Sequence, residues 1–335
     1  MSRRPFNSTC IQIPHSIPAW RPRNPKTVHD PNAQLQLSVD EYTILSAASD
    51  AATLILAHGT SFNKKLWEPT IWRLLKAIES GALPGCVQRI LVIDASNHGD
   101  SYLLNANILT GTSYWPDQSR DILQVLKYFQ VKQPVIGIGH SFGGGIMAHA
   151  AILDPLAFFG TVFIDPILFQ MKEQTNMIAQ RALKRRDRWG NMQDVRTSFT
   201  INKGFSDWHP EVLRLHIEHS TRAIKDRENM ARILTTPKEQ EAATYLAAPH
   251  PDLPRFLSES KQNHCFILGG ESIVVHPADR EWIKSISRTQ KHVVVMEDAG
   301  HLIPMTHPEE LGNIISEMLS ITTTTTSDKN LRSLL

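Results

Sequence analysis

The sequence predicts an α/β fold: a mostly parallel central sheet, helices on both of its faces, and one helical insertion. Three observations carry that expectation. Short runs rich in Val and Ile recur along the chain, longer stretches of helical period separate them, and the alternation lapses once, between residues 171 and 252. The runs lie at 53–57, 90–93, 135–138, 161–164, 265–268 and 293–296. Strands covered on both faces read as unbroken apolar runs of this kind.

Taken in order, residues 1–34 carry Pro5, Pro14, Pro18, Pro22, Pro25 and Pro31. So many fixed φ angles and missing amide donors predict an extended arm lying on the surface. Residues 35–39 and 42–45 alternate around Asp40-Glu41 and predict an antiparallel hairpin at the sheet edge. Ile122, Leu123, Val125, Leu126 and Phe129 recur at helical spacing behind Pro116-Asp117, a helix start, and predict a crossover helix. The insertion, 171–252, reads as a helical lid with charged helical segments at 178–188 and 211–234. Inside it, Lys184, Arg185, Arg186, Asp187 and Arg188 form a run that is a solvated helix face or, alternatively, a phosphate-contacting rim. The Thr-rich end, 322–335, reads as a flexible tail. The core is then 35–170 together with 253–321.

Composition narrows function. With 35 Lys+Arg against 33 Asp+Glu, no domain-wide basic field exists to bind nucleic acid. Three cysteines without CxxC or His-linked spacing suggest neither a disulfide framework nor a structural zinc site, and a reducing, intracellular compartment fits. No apolar stretch approaches a transmembrane span, and the first residues lack the apolar run of a secretory signal.

The chemistry-bearing residues cluster at the ends of the apolar runs. Gly139-His140-Ser141-Phe142-Gly143 matches G-x-S-x-G between a strand-like run and a helical segment. That context makes Ser141 a candidate nucleophile, because the serine must sit on a sharp strained turn where only small neighbours let strand and helix close up. His58-Gly59-Thr60-Ser61 ends the first run, so the amides of Thr60 and Phe142 are candidate oxyanion donors, an effect worth roughly 3 kcal/mol per donor. His58 itself reads equally as a structural residue. Among 15 histidines, His301 is the candidate base, since Asp298-Ala299-Gly300-His301 follows the last run and precedes a helix start at Pro308; His98, His276 and His307 compete less well. For the acid, Asp165 after the fourth run and Glu271 after the fifth both lie at strand ends. Asp165 is preferred, with Glu271 as the alternative, because Ser272 stands where the later loop usually carries aspartate.

These residues resemble the α/β-hydrolase superfamily: His58-Gly59, Gly139-His140-Ser141-Phe142-Gly143 and Gly300-His301 stand in its order. A closer similarity is to fungal peroxisomal lipase-like and acyl-CoA hydrolases, several of them from secondary-metabolite or toxin pathways. It rests on Leu91-Val92-Ile93-Asp94-Ala95-Ser96-Asn97-His98-Gly99-Asp100-Ser101 and on Ile164-Asp165-Pro166, where that group places its triad acid. The resemblance implies a serine hydrolase acting on an acyl ester or acyl-CoA thioester, without metal or organic cofactor, in the peroxisome or cytoplasm. The C-terminal Ser333-Leu334-Leu335 departs from the group's serine-lysine-leucine type import signal. An acyltransferase using the same triad, or a small-molecule binder on a hydrolase shell, remains as the alternative.

Overall fold

The computed structural model describes residues 4–45, 47–48, 50–83, 86–226, 229–287 and 292–326. Its strands are β1 (Arg4–Pro5), β2 (Cys10–Pro18), β3 (Gln36–Ile44), β4 (Ala52–Ala57), β5 (Val87–Ile93), β6 (Val135–His140), β7 (Gly160–Ile164), β8 (Arg188–Trp189), β9 (Thr221–Asp226), β10 (Asn229–Leu234), β11 (Asn263–Gly269) and β12 (His292–Met296). Nine of them form one sheet in the order β1-β2-β3-β5-β4-β6-β7-β11-β12. The apolar runs read from the sequence are its parallel part, β5 through β12.

Alternate side chains of each central strand serve opposite faces of the sheet, as the period of two requires. In β4, Ile55 and Ala57 join one core with the helices α3 (Trp115–Tyr128) and α4 (Phe142–Leu153), while Leu54 and Leu56 join the other beneath α1 (Glu68–Glu79) and α12 (Pro308–Thr326). The predicted crossover helix is α3, opened by Pro116 and with Ile122, Val125 and Leu126 buried. Short helices α2 (Gly99–Asn105), α9 (Leu253–Glu259), α10 (Pro277–Ile286) and α11 (Ile303–Thr306) complete the core.

Four expectations need correction. The first 34 residues are not all arm: β2 pairs with β3 over its whole length, from Cys10 opposite Ile44 to Pro18 opposite Gln36. Proline is tolerated near a sheet edge, where a strand is short of partners on one side, and β2 has only the two-residue β1 on its outer side. Residues 19–34 do run irregularly over α3, tied there by Arg23 to Asp121 at 2.7 Å. The hairpin is instead one continuous strand, β3, because its charged centre is paired. Asp40 meets Lys65 at 2.7 Å, and Glu41 meets His15 at 2.8 Å and Arg89 at 3.0 Å. The insertion is not purely helical: besides α5 (Lys172–Lys184), α6 (Met192–Thr200), α7 (Pro210–His219) and α8 (Lys238–Leu246), it holds a three-stranded sheet, β8-β10-β9. The segment 211–234 is thus one helix followed by a hairpin. Finally, α12 continues through the threonine run to Thr326, and residues 327–335, with the Ser333-Leu334-Leu335 end, lie outside the described residues. Among the described residues no helix is long and apolar enough to cross a membrane.

Candidate active site

Ser141 joins β6 to α4 with φ 55° and ψ −119°, a strained geometry of the kind that persists only when the surroundings over-determine it, at a cost of about 1–3 kcal/mol. Three backbone bonds do so. The Ser141 amide donates to Ile164 O at 3.0 Å, and its carbonyl accepts from Gly145 and Ile167, each at 3.1 Å. The flanking glycines are steric requirements, since a Cβ on Gly139 would lie 2.3 Å from Gly143 O, and one on Gly143 would lie 2.3 Å from Ala57 O.

His301, on the loop after β12, brings Nε2 within 2.9 Å of Ser141 Oγ, and its Nδ1 lies 2.6 Å from Asp165 Oδ2. Because a buried carboxylate accepts at Nδ1, the ring proton belongs on Nδ1 and the Nε2 lone pair faces the serine hydroxyl. Asp165 is fully buried at the end of β7 and also accepts from Ser272 Oγ at 2.6 Å and Gly269 N at 3.1 Å. Ser272, standing where the later loop usually carries an aspartate, therefore bonds Asp165. The alternative acid, Glu271, is exposed; its amide donates to Ala299 O, and its side chain has no hydrogen bond among the described residues.

His140, which the sequence reading passed over, is buried beside this group and donates Nε2–H to the main-chain oxygen of His301 at 2.8 Å. Burial, followed by the neighbouring His301, pushes its pKa down to about 3, so it stays neutral at ordinary pH. Only its position inside the elbow motif pointed to it.

The candidate oxyanion donors flank the serine. Phe142 opens α4, where helix N–H groups have no intrahelical acceptor. The Thr60 loop lies close by, since a Cβ on Gly59 would stand 3.2 Å from Ser141 Cβ. His58 fastens that loop structurally, with Nδ1 2.8 Å from Gly59 O and Nε2 accepting from Ala95 N at 3.1 Å. The weaker candidate bases are elsewhere engaged: His98 is buried and accepts from Ser61 N at 3.3 Å, His276 meets Gln174 at 2.6 Å, and His307 meets Thr306 Oγ1 at 2.8 Å. The stretch around His98 is folded about Asp94, which accepts from the Lys64 amide at 2.7 Å and the Asp100 amide at 2.9 Å.

A cavity of about 210 Å³ lies between the loop after β7 and the lid, with Gln170, Lys172, Thr175 and Asn176 among its lining. Trp115, Ile167, Phe169, Met171 and Leu246 supply much of its lining. Two of these border the nucleophile turn: Ile167 through its bond to Ser141 O, and Trp115 edge-on to the Phe142 ring at 4.8 Å. The basic run divides, with Arg185 turned toward Glu241 at 2.7 Å and Arg186 lying over the Trp189 ring. At the surface, Asp298, His307 and Glu310 bring potential metal ligand atoms within 4.8 Å of one another, though both carboxylates are exposed.

Comparison with known proteins finds relatives among hydrolases. Over 173 residues the chain is 32% identical to the type I acyl-CoA thioesterase mpaH of Penicillium roqueforti, a match covering 50% of this chain and 38% of the relative. It is 27% identical over 228 residues to the abhydrolase domain-containing protein AFT2-1 of Alternaria alternata, covering 56% of this chain and 84% of that protein. The solved peroxisomal alpha-beta-hydrolase Lpx1 of Saccharomyces cerevisiae has a TM-score of 0.82 at 20% identity, over 95% of this chain and 91% of that one. The chain spans well under half the length of the thioesterase it matches. A model of the alpha/beta hydrolase family matches residues 54–313, from β4 into α12, and the chain belongs to that family.

Proposed function

We propose that this protein is a serine hydrolase that cleaves an ester or acyl-CoA thioester through Ser141, His301 and Asp165. The unbroken chain of hydrogen bonds from Ser141 Oγ through His301 to Asp165 carries the reading. His301 Nε2 takes the hydroxyl proton as Ser141 Oγ bonds to the acyl carbon. The carbonyl electrons move onto oxygen, between the amides of Thr60 and Phe142. Collapse breaks the C–O or C–S bond, and the imidazolium returns its proton to the departing alcohol or thiol. Water then repeats the sequence on the acyl-enzyme and releases the acid. Asp165 fixes the tautomer and stabilises the imidazolium without taking the proton.

The acyl-CoA side of the reading is supported by the acyl-CoA thioesterases among its relatives, and an acyl group is supported by the apolar side chains of Trp115, Ile167, Phe169 and Leu246 in the cavity. A peroxisomal location belongs to the same reading, because the relative Lpx1 of Saccharomyces cerevisiae carries that description; import of a fluorescent fusion with a free C-terminus tests it. The activity test sets wild type beside Ser141→Ala on an acyl-CoA and on the matching simple ester. Hydrolysis of the thioester, lost in the variant, is the expected result. A tenfold or greater lead for the simple ester would remove the CoA reading, and no hydrolysis by folded wild type would remove the enzyme reading.

A further inference from the structure

The residue after Thr60 is held in an unusual way. Ser61 has φ 78°, a left-handed conformation that a non-glycine residue adopts only at a cost. Its amide donates to His98 Nε2 at 3.3 Å, and its hydroxyl lies 2.5 Å from Glu241 Oε1 and 2.9 Å from the Tyr245 hydroxyl. Glu241 and Tyr245 both belong to α8 of the lid. Glu241 is 3% exposed, and Arg185 closes the group by donating Nη1–H to the same Oε1 at 3.1 Å, with Nη2 2.7 Å from Oε2. Burial raises the Glu241 carboxyl, Arg185 opposes this, and burial pushes the Tyr245 hydroxyl up to about 12. Tyr245 therefore donates to Ser61, and Ser61 donates to the carboxylate.

Helix α8 and the segment leading into it are fastened to the core around the same loops. Asn97 Nδ2 donates to Thr244 Oγ1 at 2.9 Å, Trp115 Nε1 donates to Thr244 O at 3.1 Å, and Gly99 N donates to Thr236 Oγ1 at 2.8 Å. A carboxylate kept this dry on a helix this firmly docked is an expensive way to fasten a lid, because a buried charge stabilises a fold weakly at best. It is well suited to fixing the direction of one hydroxyl.

We propose that Glu241 is a positioning residue: acting through Ser61, it holds the Thr60 amide where it receives the developing oxyanion, so the oxyanion hole is complete only when α8 is seated. This rests on the reading of Ser141, Thr60 and Phe142 given above.

The test reads kcat and KM of Ser61→Ala, Glu241→Ala, the double variant and Glu241→Gln on a substrate turned over by wild type. It adds the inhibition constant of a trifluoromethyl ketone, whose adduct with Ser141 carries an oxyanion. Ser61→Ala and Glu241→Ala are each expected to lose about 10- to 100-fold in kcat, with KM within about twofold. The ketone should weaken by the same factor, and the double variant should be no worse than about threefold below the poorer single one. Glu241→Gln, which keeps an acceptor for Ser61, should recover to within about fivefold of wild type. Unchanged kcat or unchanged ketone affinity in Ser61→Ala overturns the proposal. That variant removes one oxygen, so it decides the matter if Glu241→Ala fails to fold. Turnover by Ser141→Ala equal to wild type would overturn the underlying reading as well, whereas a dead Ser141→Ala beside a fully active Ser61→Ala sinks this proposal alone.

Discussion

On one side of Ser141, His301 and Asp165 hang from the ends of β12 and β7. On the other side, Thr60 stands on a loop whose next residue is held by Glu241 from the lid. Both sides use short hydrogen bonds to buried carboxylates, but they draw their rigidity from different places. The histidine side is fixed by the register of one sheet, in which β7 lies beside β6, β11 beside β7 and β12 beside β11. The Thr60 loop is tied instead by contact between core and insertion, through Ser61 to Glu241 and Tyr245. On the proposed reading, a site built this way keeps its proton relay when the lid lifts, while its charge stabilisation needs the lid seated.

The largest effect is expected where the sheet-built side is broken. Asp165→Asn keeps the shape but takes away the charge that sets the His301 tautomer, and kcat should fall about 10⁴-fold with the melting temperature little changed; steady-state kinetics beside a thermal melt reads both. The elbow tests the same side through the backbone. Gly139→Ala places a methyl 2.3 Å from Gly143 O, and urea denaturation should show a loss of about 3 kcal/mol or more.

The lid side is sharpened by pH. His216 is buried among Phe62, Phe199, Phe205 and Trp208 of the lid interface, its Nδ1 has no partner among the described residues, and burial pushes its pKa down from 6.5 to about 3. The unfolded chain then takes up a proton near pH 6.5 that the folded one refuses, so stability is lost as pH falls from 6.5 toward 3. At pH 4.5 that loss is about 2–3 kcal/mol. In His216→Phe the difference in unfolding free energy between pH 7 and pH 4.5 should shrink by about that amount; an unchanged difference would mean this ring does not resist protonation. The smallest effect belongs to Glu271→Gln, which should leave kcat within about twofold, since exposed positions away from bonded partners tolerate substitution.

What could be read from the sequence follows the same division. Ser141, His301 and Asp165 were legible because each sits at the end of an apolar run, and a parallel sheet gathers such ends on one edge. The preference for Asp165 over Glu271 rested on Ser272 and on the resemblance around Ile164-Asp165-Pro166, and the Ser272 hydroxyl donates to Asp165. The strand β2 was hidden by Pro14 and Pro18, which weigh against a central strand but not against one near an edge. The unity of β3 was hidden by Asp40 and Glu41, whose partners Lys65, His15 and Arg89 are distant in sequence. Glu241 carried no local signal at all, being separated by 180 positions from the serine it touches. The lid sheet was missed because β9 and β10 mix charged and apolar residues in strands of six that look equally helical.

The central claim is that Ser141 is acylated during turnover, and intact-protein mass spectrometry after rapid acid quench with substrate tests it most directly, followed by peptide mapping. The account predicts a mass increase equal to the acyl group on the peptide containing Ser141, absent in Ser141→Ala and in His301→Ala. Steady turnover with the acyl group found on another residue would contradict it, as would a Ser141→Ala variant that still becomes acylated and turns over.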